Sequence, residues 1–198
     1  MNLPAKLAVL ISGGGTNLQS LIDSIKMGKL SAKIVLVVSS RSDAYGLERA
    51  KNEKIETYVY KTKAYATEED AAKALLEVLE RKEVEYIALA GFLKMVPNMI
   101  IHKYRDRITN IHPALLPKFG GKGMYGHFVH EAVIAANERE SGATVHIVDE
   151  IYDHGKIILQ RKVDVYPDDT PDSLAARVLR VEHQIYPEAL ENLIRGKI

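Results

Sequence analysis

Cysteine is absent from the 198 residues, which excludes disulfides, thiolate metal sites and cysteine nucleophiles without deciding the redox compartment. An excess of charge of one sign is missing too. With 27 Lys and Arg against 26 Asp and Glu, the formal net charge of +1 offers no basic field for gripping nucleic acid. Small molecules are the expected partners. No apolar run is long enough to span a bilayer, and the first residues, MNLPAKLAVLISGGG, show no cleavable small-residue pattern. The chain is therefore expected to be cytoplasmic and off the membrane. Internal repeats, low-complexity tracts and long linkers are also missing.

What is present is the composition of an ordinary globular protein, 46% hydrophobic and 27% charged. Residues 1–198 are expected to form one domain of two closely joined halves, divided near residue 100. After an apolar run at Leu7 to Ile11, others recur at Ile34 to Val38, Tyr86 to Ala90, Ile108 to Ile111, Val145 to Val148 and Ile157 to Leu159. The first three of these later runs are apolar on both faces, as interior parallel strands are. Helical patterns lie between them, the clearest being TEEDAAKALLEVLER, where Thr67 can cap and three acids follow. Such alternation predicts an α/β fold: a Rossmann-like wound, mostly parallel sheet with helices on both faces. Thr170 and Pro171 open a final helix that Pro187 is expected to bend or interrupt.

The stretch LISGGGTNLQSL reads as strand, glycine loop and helix. Gly13 to Gly15 can take positive φ and leave backbone N–H groups at the helix start open to an anion. Thr16 and Asn17 can add side-chain donors. The dinucleotide fingerprint is not met, because Leu18 stands where its third glycine belongs, and no lysine completes a Walker-type loop. One phosphate is favoured over two or three, although any tight strand-to-helix turn also accepts glycine.

In ITNIHPALLPK, strand alternation puts Asn110 and His112 on one face at the carboxyl end of a strand, where open α/β sheets place their ligands. An amide and an imidazole thus converge on one spot. A lone histidine near a strand end is more often structural. The long proline- and glycine-rich stretch that follows is of the kind that is functional or mobile, and Gly120 to Gly126 is expected to move until ligands bind.

Four segments, SGGGTNLQSLID, AGFLKMV, NIHPALLPKF and EHQIYPEAL, in this order and spacing, resemble the glycinamide ribonucleotide transformylases of the folate-dependent formyltransferase superfamily. The likeness runs from about Leu7 to Leu190. It implies transfer of a formyl group from 10-formyltetrahydrofolate, as co-substrate, to glycinamide ribonucleotide in purine biosynthesis, without a metal. Asn110, His112 and Asp153 would be catalytic, with Asn110 and a protonated His112 stabilising an oxyanion and Asp153 raising the His112 pKa. Gly15, Thr16 and Asn17 would hold the ribonucleotide phosphate, and Glu182 its ribose or glycinamide end. Leu93, Lys94, Met95 and Val96, with Asn110, would contact the folate, and Ile147 to Asp153 would close over it. The second half would complete the folate cleft and active site. A monomer or homodimer is expected.

The chain departs from that pattern where Glu68-Glu69-Asp70 stand in place of a basic residue near the folate tail, a role left to Lys61 or Lys63. His127 and His130 are expected to be surface or helix-cap residues. A formyltetrahydrofolate hydrolase or a methionyl-tRNA formyltransferase would usually carry an extra N-terminal or C-terminal domain, and length argues against both. A mononucleotide-binding module without catalysis needs the glycine loop but not the Asn110, His112 and Asp153 group.

Overall fold

A computed structural model describes residues 3–198, which divide into two compact units, one ending at Ile108 and the other running from Thr109 to Ile198. The wound α/β arrangement expected from the sequence is the one found.

In the first unit, β1 (Ala5–Ile11), β2 (Ala32–Ser39), β3 (Thr57–Val59) and β4 (Tyr86–Leu89) run parallel in the order β3-β2-β1-β4. Leu7 to Ile11 are fully buried, as are Leu36 to Val38, because β1 and β2 have covered faces on both sides. The helices α1 (Thr16–Lys26), α2 (Gly46–Asn52), α3 (Glu68–Arg81) and α4 (Asn98–Lys103) connect the strands, with a short 3-10 turn at Thr62–Ala64. Thr67 caps α3 by accepting from the Asp70 N–H at 3.0 Å, a contact worth about 1 kcal/mol. The stripe Ala71, Leu75, Val78 and Leu79 is buried beneath it. Three elements had too little periodicity to be read from the sequence: β3 has three residues, α2 seven and α4 six.

The second unit is antiparallel. β5 (Ile108–His112) begins at the unit boundary and pairs with β6 (Glu140–Ile147), which pairs with β7 (Ile157–Asp164). The expectation of an interior parallel strand at Ile108 to Ile111 is corrected on this side of β5. The long excursion through α5 (His127–Ala135) re-enters β6 at the end where β5 stopped, which reverses its direction. The final helix, α6 (Pro171–Ile194), starts with a capping box between Thr170 and Ser173. It runs without interruption through Pro187, which is buried within it, so the expected break does not occur. Packing overrides propensity there: Leu174, Val178, Ile185, Tyr186, Ala189 and Leu190 are all fully buried. Tyr186 ties α6 to β5 by donating its hydroxyl to the Thr109 carbonyl at 3.2 Å.

Candidate functional site

The candidate residues divide between the two units. In the first, the chain leaves β1 through Ser12-Gly13-Gly14-Gly15 and enters α1 at Thr16. Of the three glycines only Gly15 has a positive φ, at 70°, and a Cβ there would lie 2.7 Å from the Gly46 Cα. Gly46 in turn has no room for a side chain, since its Cβ would meet Ile11 Cδ1 at 2.4 Å. The loop and the start of α2 are thus pressed together, backbone against backbone. The Gly46 N–H donates to the Gly13 carbonyl at 3.0 Å, and Arg49 Nε donates to the Gly14 carbonyl at 2.8 Å. Each trans peptide places its N–H opposite its C=O. Holding these carbonyls toward α2 therefore turns the Gly14 and Gly15 N–H groups the other way, beside an α1 start that no side chain caps. Thr16 is exposed there and Asn17 buried.

The loop after β4 lies beside the glycine loop. Strands β1 and β4 are neighbours, and the Leu93 N–H donates to Ser12 Oγ at 2.8 Å. Leu93 and Met95 are 58% and 45% exposed, so these apolar side chains are open to a ligand and not absorbed in the core. Val96 is 4% exposed, and its side chain packs in the core, which leaves its backbone as the part open to a ligand. Lys94 Nζ reaches Thr62 Oγ1 at 3.2 Å and sits over the Tyr60 ring. Lys61 and Lys63 are exposed at the 3-10 turn.

In the second unit, β5 places Asn110 and His112 on one face, and the antiparallel register sets His146 opposite Asn110 and Thr144 opposite His112. Asp153 arrives from the loop after β6. That loop is closed tightly: a Cβ on Gly155 would lie 1.9 Å from the Ile147 carbonyl oxygen, so only glycine fits two residues beyond Asp153. Asp149 ties the loop further, accepting from the Ile151 N–H at 2.9 Å and meeting His154 Nδ1 at 2.9 Å. Asp153 itself has φ 53°, an uncommon conformation for a residue with a side chain.

These elements bring three of the expected residues together. Asn110 Nδ2 donates to Asp153 Oδ1 at 3.4 Å, and His112 Nδ1 lies 3.6 Å from Asp153 Oδ2. The other imidazole nitrogen, His112 Nε2, donates to the Phe119 carbonyl at 2.8 Å. The Gly121 N–H donates to Asp153 Oδ2 at 2.9 Å, anchoring the long loop to the carboxylate. Burial pushes Asp153 upward, but contact with His146, the nearby His112 imidazole and the Gly121 N–H pull the other way, and the net direction is downward.

His112 is 3% exposed. Burial lowers its pKa, and although Asp153 and the Phe119 carbonyl pull the other way, the net shift is downward. Asp153 pulls the His112 pKa upward as expected, but desolvation outweighs the carboxylate 3.6 Å away. The expected surface position of His130 is corrected. His127 is exposed beside Glu131 and Asp172, but α5 turns Val129, His130 and Val133 inward, and burial holds His130 at about 4. Glu182 is buried on α6. Among the described residues no group of three or more His, Cys, Asp or Glu could hold a metal ion, and no helix is long and apolar enough to cross a membrane.

The formyl transferase family model matches residues 5–190. This chain belongs to that family. It is 43% identical over 193 residues to the chloroplastic phosphoribosylglycinamide formyltransferase of Vigna unguiculata, covering 98% of this chain and 62% of that protein. Against the Haemophilus influenzae phosphoribosylglycinamide formyltransferase it is 39% identical, covering 98% of this chain and 89% of the relative. The chain thus spans less than two thirds of the Vigna protein and most of the bacterial one. Among solved structures, glycinamide ribonucleotide transformylase 1 of Symbiobacterium toebii superposes with a TM-score of 0.93 at 36% identity, covering 99% of this chain and 90% of that one.

Three contributors to the cluster were not read from the sequence. His146 is 2% exposed, and its Nδ1 donates to the Ile147 carbonyl at 2.8 Å, leaving Nε2 to face Asn110 Nδ2 at 3.2 Å. The only sequence signal was a histidine inside an apolar run opposite the Asn-x-His strand. The Phe119 carbonyl and the Gly121 N–H are backbone groups, which residue identity does not advertise.

Proposed function

We propose that this chain transfers the formyl group of 10-formyltetrahydrofolate to the primary amine of glycinamide ribonucleotide, a cytoplasmic step of de novo purine biosynthesis. The observation that carries this reading is the convergence of the Asn110 amide, the His112 imidazole and the Asp153 carboxylate on one partly buried point. The names of the relatives, at about 40% identity over nearly the whole chain, support the choice of substrates.

In the reaction the amine nitrogen attacks the formyl carbon, whose carbonyl oxygen becomes an oxyanion before the bond to folate N10 breaks. One proton leaves the amine and one reaches N10. Asn110 would meet the oxyanion with the N–H that now makes the long 3.4 Å contact to Asp153, its weakest hydrogen bond. His146 holds the other N–H and keeps the amide plane in place. A donor of this kind is typically worth about 10²–10³ in kcat. His112, neutral at rest, would take up the amine proton at Nδ1, where the Asp153 carboxylate stabilises the imidazolium, and the proton then passes to N10. The 10-formyltetrahydrofolate is the second substrate, and the chemistry needs no metal.

The ribonucleotide phosphate would sit on Gly15, Thr16 and Asn17, with Glu182 at its ribose or glycinamide end. Leu93, Lys94, Met95 and the Val96 backbone, with Asn110, would contact the folate, and the Ile147–Asp153 segment would close on it. The test is a spectrophotometric assay for the deformylated folate, run with and without glycinamide ribonucleotide. Release that requires the ribonucleotide is expected. Equal release without it would point to a hydrolase and overturn the reading.

A further inference from the structure

The loop between β6 and β7 carries Asp153 with little help from the core. Ile151 and Tyr152, the apolar residues just before it, are 61% and 46% exposed, so burying them does not anchor the loop. Its base is closed by main chain. The Ile147 N–H donates to the Lys156 carbonyl at 2.9 Å, and Gly155 is pressed against the Ile147 carbonyl. Between these fixed ends, Asp149 grips the chain on both sides of Asp153. Its Oδ1 accepts from the Ile151 N–H at 2.9 Å, two residues before Asp153, and its Oδ2 lies 2.9 Å from Nδ1 of His154, one residue after it. Burial pushes the Asp149 carboxyl upward, but His154, the Ile151 N–H and His146 pull the other way, and the net direction is downward. An ionised carboxylate only accepts, so His154 Nδ1 is the donor.

We infer that Asp149 and His154 are positioning residues, and that the bond between them sets where the Asp153 carboxylate stands. The backbone gives the first reason. Asp153 has φ 53°, and a side-chain-bearing residue keeps such a conformation only where its neighbours over-determine it. The reach of the carboxylate gives the second. Asp153 lies 3.4 Å from Asn110 Nδ2, 3.5 Å from His146 Nε2 and 3.6 Å from His112 Nδ1, and its one short contact is the Gly121 N–H at 2.9 Å. Long contacts exert little pull and are lost on a small displacement. The loop backbone therefore decides whether these groups meet, and Asp149 with His154 holds that backbone. The two side chains are 31% and 64% exposed, and a pair this open adds little to overall stability. Its loss should be felt in alignment and not in melting.

The consequence for turnover rests on the formyl-transfer reading, whereas the position of Asp153 is measured without substrate, through exchange of the Gly121 amide that donates to it. NMR exchange rates, Tm and steady-state kinetics are compared for the parent, Asp149→Ala, His154→Ala, His154→Asn and the double alanine variant. Asp149→Ala should speed Gly121 exchange by about fivefold or more at unchanged Tm. It should lower kcat by about tenfold, with ribonucleotide KM within about twofold of the parent. His154→Ala should change both in the same direction by less, and, at an exposed position, it carries the test should Asp149→Ala not fold. His154→Asn, which keeps an N–H donor near the place of Nδ1, should restore both. The double variant should lose no more than Asp149→Ala alone, because the shared bond is already gone.

The inference is overturned if the alanine variants exchange Gly121 as the parent does, if an active parent keeps its kcat in them, if His154→Asn behaves as His154→Ala, or if the two losses multiply. Faster Gly121 exchange in the variants of a parent that shows no ribonucleotide-dependent release of folate would support the positioning role and overturn the formyl-transfer reading instead.

Discussion

In the first unit the candidate anion site is made mostly of main chain, N–H groups that Gly46 and Arg49 turn outward, whereas in the second the candidate catalytic cluster is made of side chains carried on two antiparallel strands and a loop. The two kinds of site have different weak points. A main-chain site is undone by whatever alters backbone conformation, even a single methyl group. A side-chain site tolerates changes to its supports and fails when one functional group is lost. The first is suited to an anion of fixed shape, and the second to charge that appears only during reaction.

The largest effect expected from this contrast is at Asp153. Asp153→Asn keeps the shape but removes the charge facing His112, and should lower kcat by about 10²–10³ with little change in ribonucleotide KM, as read by steady-state kinetics. A comparable rise in KM would erase the distinction between the units. Next is Gly15→Ala, which combines φ 70° with a Cβ 2.7 Å from Gly46. Strain of about 1–3 kcal/mol should appear as weaker ribonucleotide binding and a lower Tm, with kcat on saturating substrate largely kept. Arg49→Met removes one clamp on the Gly14 carbonyl and should raise ribonucleotide KM by about tenfold or less. Should kcat fall and KM stay, Arg49 would belong to the chemistry and not to the loop.

The smallest effect concerns acid. His130 has a folded pKa held at about 4 by burial, below the ordinary value of about 6.5. Its neutral form favours the folded state fully above about 6.5, and that contribution is lost as pH falls from there toward 4. His112 is shifted in the same direction. His130→Phe should therefore shrink the drop in Tm between pH 7 and pH 5 relative to the parent. An unchanged drop would mean that burial of His130 plays no part in acid sensitivity.

Much of this was legible in the sequence where a pattern has one physical cause. The apolar runs of β1, β2 and β4 could only be covered strands, and alternation alone put Asn110 and His112 on one face. Thr67 and Thr170 announced the helices they cap. What was not legible depends on pairing at a distance. Nothing local says that β6 runs antiparallel to β5, and so nothing says that His146 stands opposite Asn110. The protonation state of His112 depends on how deeply the fold buries it, which a neighbouring carboxylate in the sequence does not reveal. Gly155 carries no local sign of constraint, yet it is required because the Ile147 carbonyl leaves no space for a Cβ. Pro187 shows the reverse case, a strong local rule that tertiary packing along α6 overrides.

The most direct test of the division between a binding unit and a reacting unit is His112→Ala, measured both for turnover and for ribonucleotide affinity by calorimetry. The account predicts that kcat falls by orders of magnitude while the ribonucleotide dissociation constant stays within about twofold of the parent. A dissociation constant that rises in step with the loss of kcat, in a protein with unchanged Tm, would contradict it.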